Sequence, residues 1–282
     1  MLSAERIAIV GTGLVGASIG LGLRQAGFSG QIIGIGRRLQ TVEHARDRGC
    51  IDTATTDLSA VTDTDLAILA TPLGQFPQLL RQLSRLEPTF IITDVGSTKQ
   101  QVCADASDLL PQPSLFVGAH PMAGGEQHGP EHAHAHLFTG KPCVITPHPE
   151  SSPDAIALVE SLWSVLGMRL IRTTPKEHDR QVAQVSHLPH ALAVLMITMA
   201  SDEGSLDLAS TGFRDTTRIA SGDAKVWHDI FTTNHQSMIT VIDQFTSQLQ
   251  NLRTVLATGE DSALRDLLEK GKRKRDDWIR AF

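Results

Sequence analysis

Ile7-Ala8-Ile9-Val10 runs directly into Gly11-Thr12-Gly13-Leu14-Val15-Gly16, and a helical pattern of small and apolar residues follows over 18–26. Glycines spaced G-x-G-x-x-G let the chain turn sharply out of a strand, expose bare backbone at the turn, and pack the next helix close against that strand. A helix opening there presents unpaired N–H groups, which attract phosphate. The pattern predicts a strand–turn–helix unit in which Gly11, Gly13, Leu14, Val15 and Gly16 receive the pyrophosphate of a dinucleotide.

The rest of the first half repeats the alternation. Residues 7–10, 31–35, 66–70, 90–93, 115–118 and 143–146 each read as a short, buried strand of a parallel sheet. Helical spacing fills 18–26, 40–48, 76–86 and 100–110 between them, and a helix over 152–166 and a strand over 169–173 complete the half. This is the signature of an α/β fold with a doubly wound, Rossmann-type sheet. After Thr174-Pro175, a helix N-cap followed by proline at the first helical position, strands vanish and helices are predicted over 175–199, 225–256 and 262–278. The expected division is a nucleotide-binding domain over 1–174 and an all-α domain over 175–282. Those helices are apolar on more than one face, which points to a homodimer formed through them.

Composition narrows the class. Among 282 residues, 25 Lys and Arg against 31 Asp and Glu give a net charge of −6, which argues against a nucleic-acid binder. Cys50, Cys103 and Cys143 lie too far apart for a disulfide framework or a thiolate zinc site, and suit a reducing compartment. No basic stretch with a cleavable apolar segment precedes Ile7, and the apolar runs are broken before membrane-spanning length, so a soluble cytoplasmic protein is expected. His132, His134 and His136, with His128 nearby, could bind zinc or nickel from one strand face. The stretch also reads as an exposed loop, and no metal is expected.

Selectivity for the nucleotide is set at the end of the second strand, where a carboxylate binds the 2′-hydroxyl of NAD. Here Gly36 stands in that place and Arg37 and Arg38 follow, a pair suited to a 2′-phosphate, so NADP is expected ahead of NAD. The same arginines also fit a solvated loop. Thr71 and Pro72, closing the strand over 66–70, are further cofactor candidates.

Two more segments end predicted strands where such sheets place their ligands: Asp94-Val95-Gly96-Ser97-Thr98-Lys99 and Gly118-Ala119-His120-Pro121-Met122-Ala123-Gly124-Gly125-Glu126. His120 can accept a proton near neutral pH, and Ser97 could fix its tautomer. Both also have structural readings, a packed histidine and a helix N-cap.

With Ser186-His187-Leu188-Pro189-His190 and Gly212-Phe213-Arg214-Asp215-Thr216-Thr217-Arg218, these segments stand in one order along nearly the whole chain. In that order, D-V-x-S-x-K, G-x-H-P-M-A-G, S-H-L-P-H and G-F-x-D-x-x-R after the glycine fingerprint, the chain resembles the prephenate/arogenate (cyclohexadienyl) dehydrogenase family, TyrA, of tyrosine biosynthesis. The resemblance implies oxidative decarboxylation of a cyclohexadiene bearing a ring hydroxyl and a ring carboxylate, with hydride passing to a nicotinamide. It implies that His120 takes the hydroxyl proton, that Ser97 orients His120, and that Arg218 binds a substrate carboxylate. His187 and His190 would face the pocket. Arg214 is a second cation that equally fits a surface or interface. Glu126 either contacts a substrate amino group or Arg218, or opens the following loop. Aromatisation with loss of CO2 drives the chemistry, so no metal Lewis acid is required.

Two other readings compete. A dehydrogenase of the β-hydroxyacid type would carry a lysine on a helix of the second domain, and no lysine lies between Lys176 and Lys225. A non-catalytic NADP-binding sensor would bind the nucleotide without turnover.

Overall fold

The computed structural model describes residues 2–125 and 127–281. Its sheet forms because apolar residues alternate between two faces. In β1 (Arg6–Val10), Ile7 and Ile9 join Ile19 and Leu23 of α1 (Leu14–Gln25), whereas Ala8 and Val10 enter a second cluster on the opposite face. β2 (Gln31–Ile35) divides likewise, Ile32 from Ile33 and Ile35. α2 (Leu39–Asp47), β3 (Thr53–Thr55), β4 (Leu66–Leu69), α3 (Phe76–Ser84), β5 (Ile91–Asp94), α4 (Gln100–Leu109), β6 (Phe116–Pro121), β7 (Pro142–Pro147), α5 (Pro153–Val165) and β8 (Arg169–Arg172) continue the winding. Helices α1, α2 and α5 contribute to the first cluster and α3 and α4 to the second, so both faces are covered. Each fully buried Ile or Leu in these clusters contributes about 1.5–3 kcal/mol.

The strand order is β3-β2-β1-β4-β5-β6-β7-β8. Between β1 and β4 the winding reverses, which opens a crevice at the carboxyl ends of the strands. The structure differs from the sequence reading at two strands. β3 was not predicted, because its Thr-Ala-Thr carries no apolar run. β7 was predicted parallel but pairs antiparallel with β6, His120 opposite Val144. A parallel return needs a crossover of a dozen or more residues, usually a helix, and the described residues of the connection over 122–141 hold a single 3-10 turn, Pro130–His132.

Thr174 and Pro175 start α6 (Pro175–Val182) as predicted, Thr174 Oγ1 accepting the Glu177 N–H at 3.2 Å. The chain then passes through a π turn, Ala183–His187, into α7 (Leu188–Asp202) without a break. That continuity makes Pro175–Asp202 long and apolar enough, by length and composition, to cross a membrane, a length the sequence reading had placed out of reach. One side of the run buries His178, Asp179, His187 and His190, while Val185, Leu195 and Met199 stand exposed.

α8 (Thr211–Thr217) and α9 (Ala224–Thr233) follow. The single helix predicted over 225–256 is interrupted at Asn234 (φ −120°, ψ 27°), after which α10 (His235–Thr258) begins. Residues 1–235 form one compact unit and residues 236–282 a second. The second unit comprises α10 beyond His235 and α11 (Asp261–Ala281), and exposes Ile239, Ile242, Leu249, Leu268 and Ile279.

Candidate active site

A cavity of about 1030 Å³ lies in the first unit, at the crevice where the sheet winding reverses. Gly11, Gly13, Leu14, Val15, Gly36, Arg37, Arg38, Thr71 and Pro72 all line it. Gly16 does not. It packs under the turn, where a Cβ would drive into the carbonyl oxygen of Gly11. Gly11 has φ +103°, and a Cβ there would meet the Ala70 carbonyl. Bare backbone is therefore a steric necessity at Gly11 and Gly16, whereas a Cβ on Gly13 would meet open space.

Two observations test whether a dinucleotide fits. The N-terminus of α1 has no side-chain cap at Gly13, so its first N–H groups remain available to phosphate. The Thr71 hydroxyl is buried with no hydrogen-bond partner among the described residues, although it lines the cavity. Both fit the group. At the far end, a Cβ on Gly36 would approach Val42 Cγ2 to 2.7 Å, so a side chain there would have to displace Val42.

On the other side of the cavity stand Ser97 and His120. His120 sits at the carboxyl end of β6 and is 8% exposed. Its Nδ1 lies 2.8 Å from His178 Nε2, and His178 Nδ1 lies 2.7 Å from Asp179 Oδ1. The sequence reading gave Ser97 the task of fixing the His120 ring. The structure assigns that hydrogen bond to His178, because the start of α6 brings His178 against the end of β6. Burial pushes the His120 pKa well below the usual histidine range, and the neighbouring His178, Lys99 and His187 act in the same direction. His178 is also lowered by burial, against the opposing pull of Asp179. Both shifts favour the neutral ring, the form that accepts a proton.

A buried ion pair supports this wall. Lys99 Nζ bonds Asp94 Oδ2, both side chains fully inaccessible. Asp94 also accepts the N–H of Gly96 (2.7 Å) and of Ala119 (3.1 Å), the residue before His120. Asp179 accepts the N–H groups of Lys99 and Gln100. The two carboxylates thus bind the loop carrying Ser97, the end of β6 and the start of α6 to one another.

Other predicted residues stand elsewhere. His187 and His190, expected to face the pocket, do not line it. The π turn carries Ser186 to the cavity and rotates His187 to Asn234, whose Nδ2 lies 3.2 Å from His187 Nδ1. His190 stacks on Trp227 (centroids 3.6 Å apart, planes within 9°), and Trp227 is the one that lines the cavity. Burial lowers the pKa of both histidines, that of His187 to about 4. Arg214 is exposed beside Asp215, since α8 turns it outward, and is outside the cavity lining. Arg218 is exposed and follows the last turn of α8; its neighbour Ile219 lines the cavity. Glu126 lies outside the described residues. Among the described residues no group of three or more His, Cys, Asp or Glu is arranged to hold a metal. His132, His134 and His136 are exposed, with His136 against Gln25.

Sequence reasoning missed Asp94, Lys99, His178, Asp179, Asn234 and Trp227. For the first two a signal existed: opposite charges closing an apolar strand and opening the next helix. For His178 and Asp179 there was none, since their partners, His120 and the N–H groups of Lys99 and Gln100, lie 58 or more residues away.

The family description "Prephenate dehydrogenase, nucleotide-binding domain" matches residues 19–172, and "Prephenate dehydrogenase, dimerization domain" matches residues 174–270. Prephenate dehydrogenase of Lactococcus lactis subsp. cremoris is 32% identical over 280 residues, covering 96% of this chain and 77% of that protein. A crystal structure of prephenate dehydrogenase from A. aeolicus with hydroxyphenyl propionate and NAD+ superposes with a TM-score of 0.92 at 32% identity, covering 98% of this chain and 99% of the other. Synechocystis arogenate dehydrogenase superposes with a TM-score of 0.85 at 32% identity, covering 97% and 99%. Read with the glycine cradle and the buried histidine facing it, these matches establish that the chain belongs to the prephenate dehydrogenase family.

Proposed function

We propose that this protein oxidatively decarboxylates prephenate, arogenate or both, with NADP as the hydride acceptor. One observation carries the reading: a single cavity joins the glycine turn to the buried His120. When bound, the nicotinamide accepts hydride from the hydroxyl-bearing ring carbon. His120 receives the hydroxyl proton as the C=O bond forms, and returns it to that oxygen as CO2 departs and the ring aromatises. The histidine ends the cycle neutral, and the enclosing walls hold substrate against cofactor.

Ser97, in the same wall, contacts the reacting hydroxyl. Arg218, next to Ile219 on the helical rim, anchors a substrate carboxylate. Arg37 and Arg38 line the cavity, and with Gly36 in place of an acid they favour NADP, whereas the A. aeolicus relative was crystallised with NAD+. The exposed apolar residues of α7, with the dimerization-domain match over 174–270, support a homodimer whose helical, substrate-binding half starts at Pro175. Three free, buried cysteines suit the cytoplasm.

Steady-state kinetics with each substrate and each nucleotide test the reading. Turnover with NADP preferred is expected. Arg37→Ala should raise KM for NADP about 10-fold and leave NAD unaffected, the loss of one charge-assisted contact. Absence of turnover with both substrates contradicts the reaction, and a preference for NAD contradicts the nucleotide assignment.

A further inference from the structure

The directions of the bonds behind His120 follow from their far end. Asp179 Oδ1 accepts the Lys99 N–H at 2.7 Å and Oδ2 accepts the Gln100 N–H at 2.9 Å, so this carboxylate is fixed on the start of α4. A carboxylate only accepts; His178 Nδ1, 2.7 Å from Oδ1, must carry hydrogen and donate. Neutral His178 then has its lone pair at Nε2, and His120 Nδ1 must donate to it across 2.8 Å. The lone pair of His120 is left on Nε2, the nitrogen that His178 does not engage, on a residue lining the cavity.

We propose that His178 and Asp179 are positioning residues that lock His120 in its Nδ1–H tautomer and share the positive charge when His120 takes the substrate proton at Nε2. The proposal rests on His120 being the proton acceptor. In the other tautomer Nε2 would carry hydrogen and could not accept. His178 and Asp179 are each 1% exposed, so the chain of bonds ends inside the protein and has no outlet to solvent. Its work is orientation and charge stabilisation. A carboxylate that holds a catalytic imidazole in the productive tautomer plays the same part in hydrolases, where its loss costs far more in turnover than in binding.

The test uses the full chain labelled with 15N-histidine. Two-bond proton–nitrogen spectra read each ring's tautomer, and His120 is assigned by the signals lost in His120→Asn. Hydrogen on Nδ1 of His120 is expected; hydrogen on Nε2 overturns the proposal. His178→Phe removes the acceptor and should lower kcat at least about 100-fold while KM for the ring substrate stays within about threefold. His178→Gln, which keeps an acceptor beside a donor, should recover activity to within about 10-fold of wild type. Wild-type turnover in His178→Phe overturns the proposal, and so does an equal loss in His178→Phe and His178→Gln. Added to His120→Asn, His178→Phe should cost nothing further. Normal turnover in His120→Asn alone removes the base assignment instead, and the spectrum still decides the tautomer. Should His178→Phe fail to fold, the wild-type spectrum decides alone.

Discussion

On the nucleotide side of the cavity, Gly11, Gly13 and the first turn of α1 offer bare backbone, and every position follows within six residues of sequence. On the opposite side, His120 depends on His178 and Asp179, 58 or more residues further along, and on Lys99 with Asp94. The first side has no space for a side chain at Gly11 or Gly16; the second buries charged and titratable ones. A backbone cradle tolerates changes in its surroundings but no added atom at those two glycines. A wall of buried polar groups has the reverse weakness, because each member is costly once its partner is lost.

Breaking the polar wall should give the largest effect. Lys99→Met strands the Asp94 carboxylate in the interior and should destabilise the fold by about 3–5 kcal/mol, read from denaturant unfolding. Lys99→Met combined with Asp94→Asn should recover part of that loss. No difference between the single and the double variant would mean that the pair contributes little.

Acid should find the same wall. The His187 pKa is about 4 in the folded chain, below its unfolded value near 6.5, so the unfolded chain binds the proton first. Stability is therefore full above about pH 6.5, falls as pH drops toward 4, and levels off below that, by about 3 kcal/mol for this group alone. His120, His178 and His190 shift in the same direction and steepen the fall. Thermal unfolding from pH 7 to pH 4.5 checks it; a flat Tm contradicts the burial of neutral histidines.

The cradle is probed by Gly16→Ala, whose methyl would meet the Gly11 carbonyl. Overpacking of this kind costs about 1–3 kcal/mol. Nucleotide affinity should fall with it, as measured by titration, while the acid response stays unchanged. A smaller effect belongs to Thr174→Ala. Loss of this cap should cost about 1 kcal/mol without altering nucleotide affinity, since α6 remains anchored by Asp179.

The same contrast explains how much could be read from the chain. The cradle was legible because G-x-G-x-x-G is local: turn, helix start and phosphate site are one stretch of backbone. The alternation of Ile7 and Ile9 against Ala8 and Val10 gave the sheet its two faces for the same reason. Strand direction was less legible, because β7 follows a connection whose described residues hold only a 3-10 turn, and the pairing with β6 is what makes its sense plain. In the helical half the motif S-H-L-P-H reaches the cavity through Ser186 and not through His187 or His190. The sequence pattern predicts a regular helix, whereas the π turn over Ala183–His187 carries Ser186 to the cavity, and Trp227 of α9, on which His190 stacks, lines it in place of His187 and His190. His178 and Asp179 were invisible because their meaning is tertiary: a charged first turn is solvated unless another helix start covers it.

The account stands on His120 as the group that takes the substrate's proton. The most direct measurement compares His120→Asn with wild type in turnover of the ring substrate and in nucleotide affinity. Loss of general-base catalysis should lower kcat about 10²–10⁴-fold with nucleotide affinity unchanged. Turnover close to wild type, or a loss that merely follows weakened nucleotide binding, would contradict it.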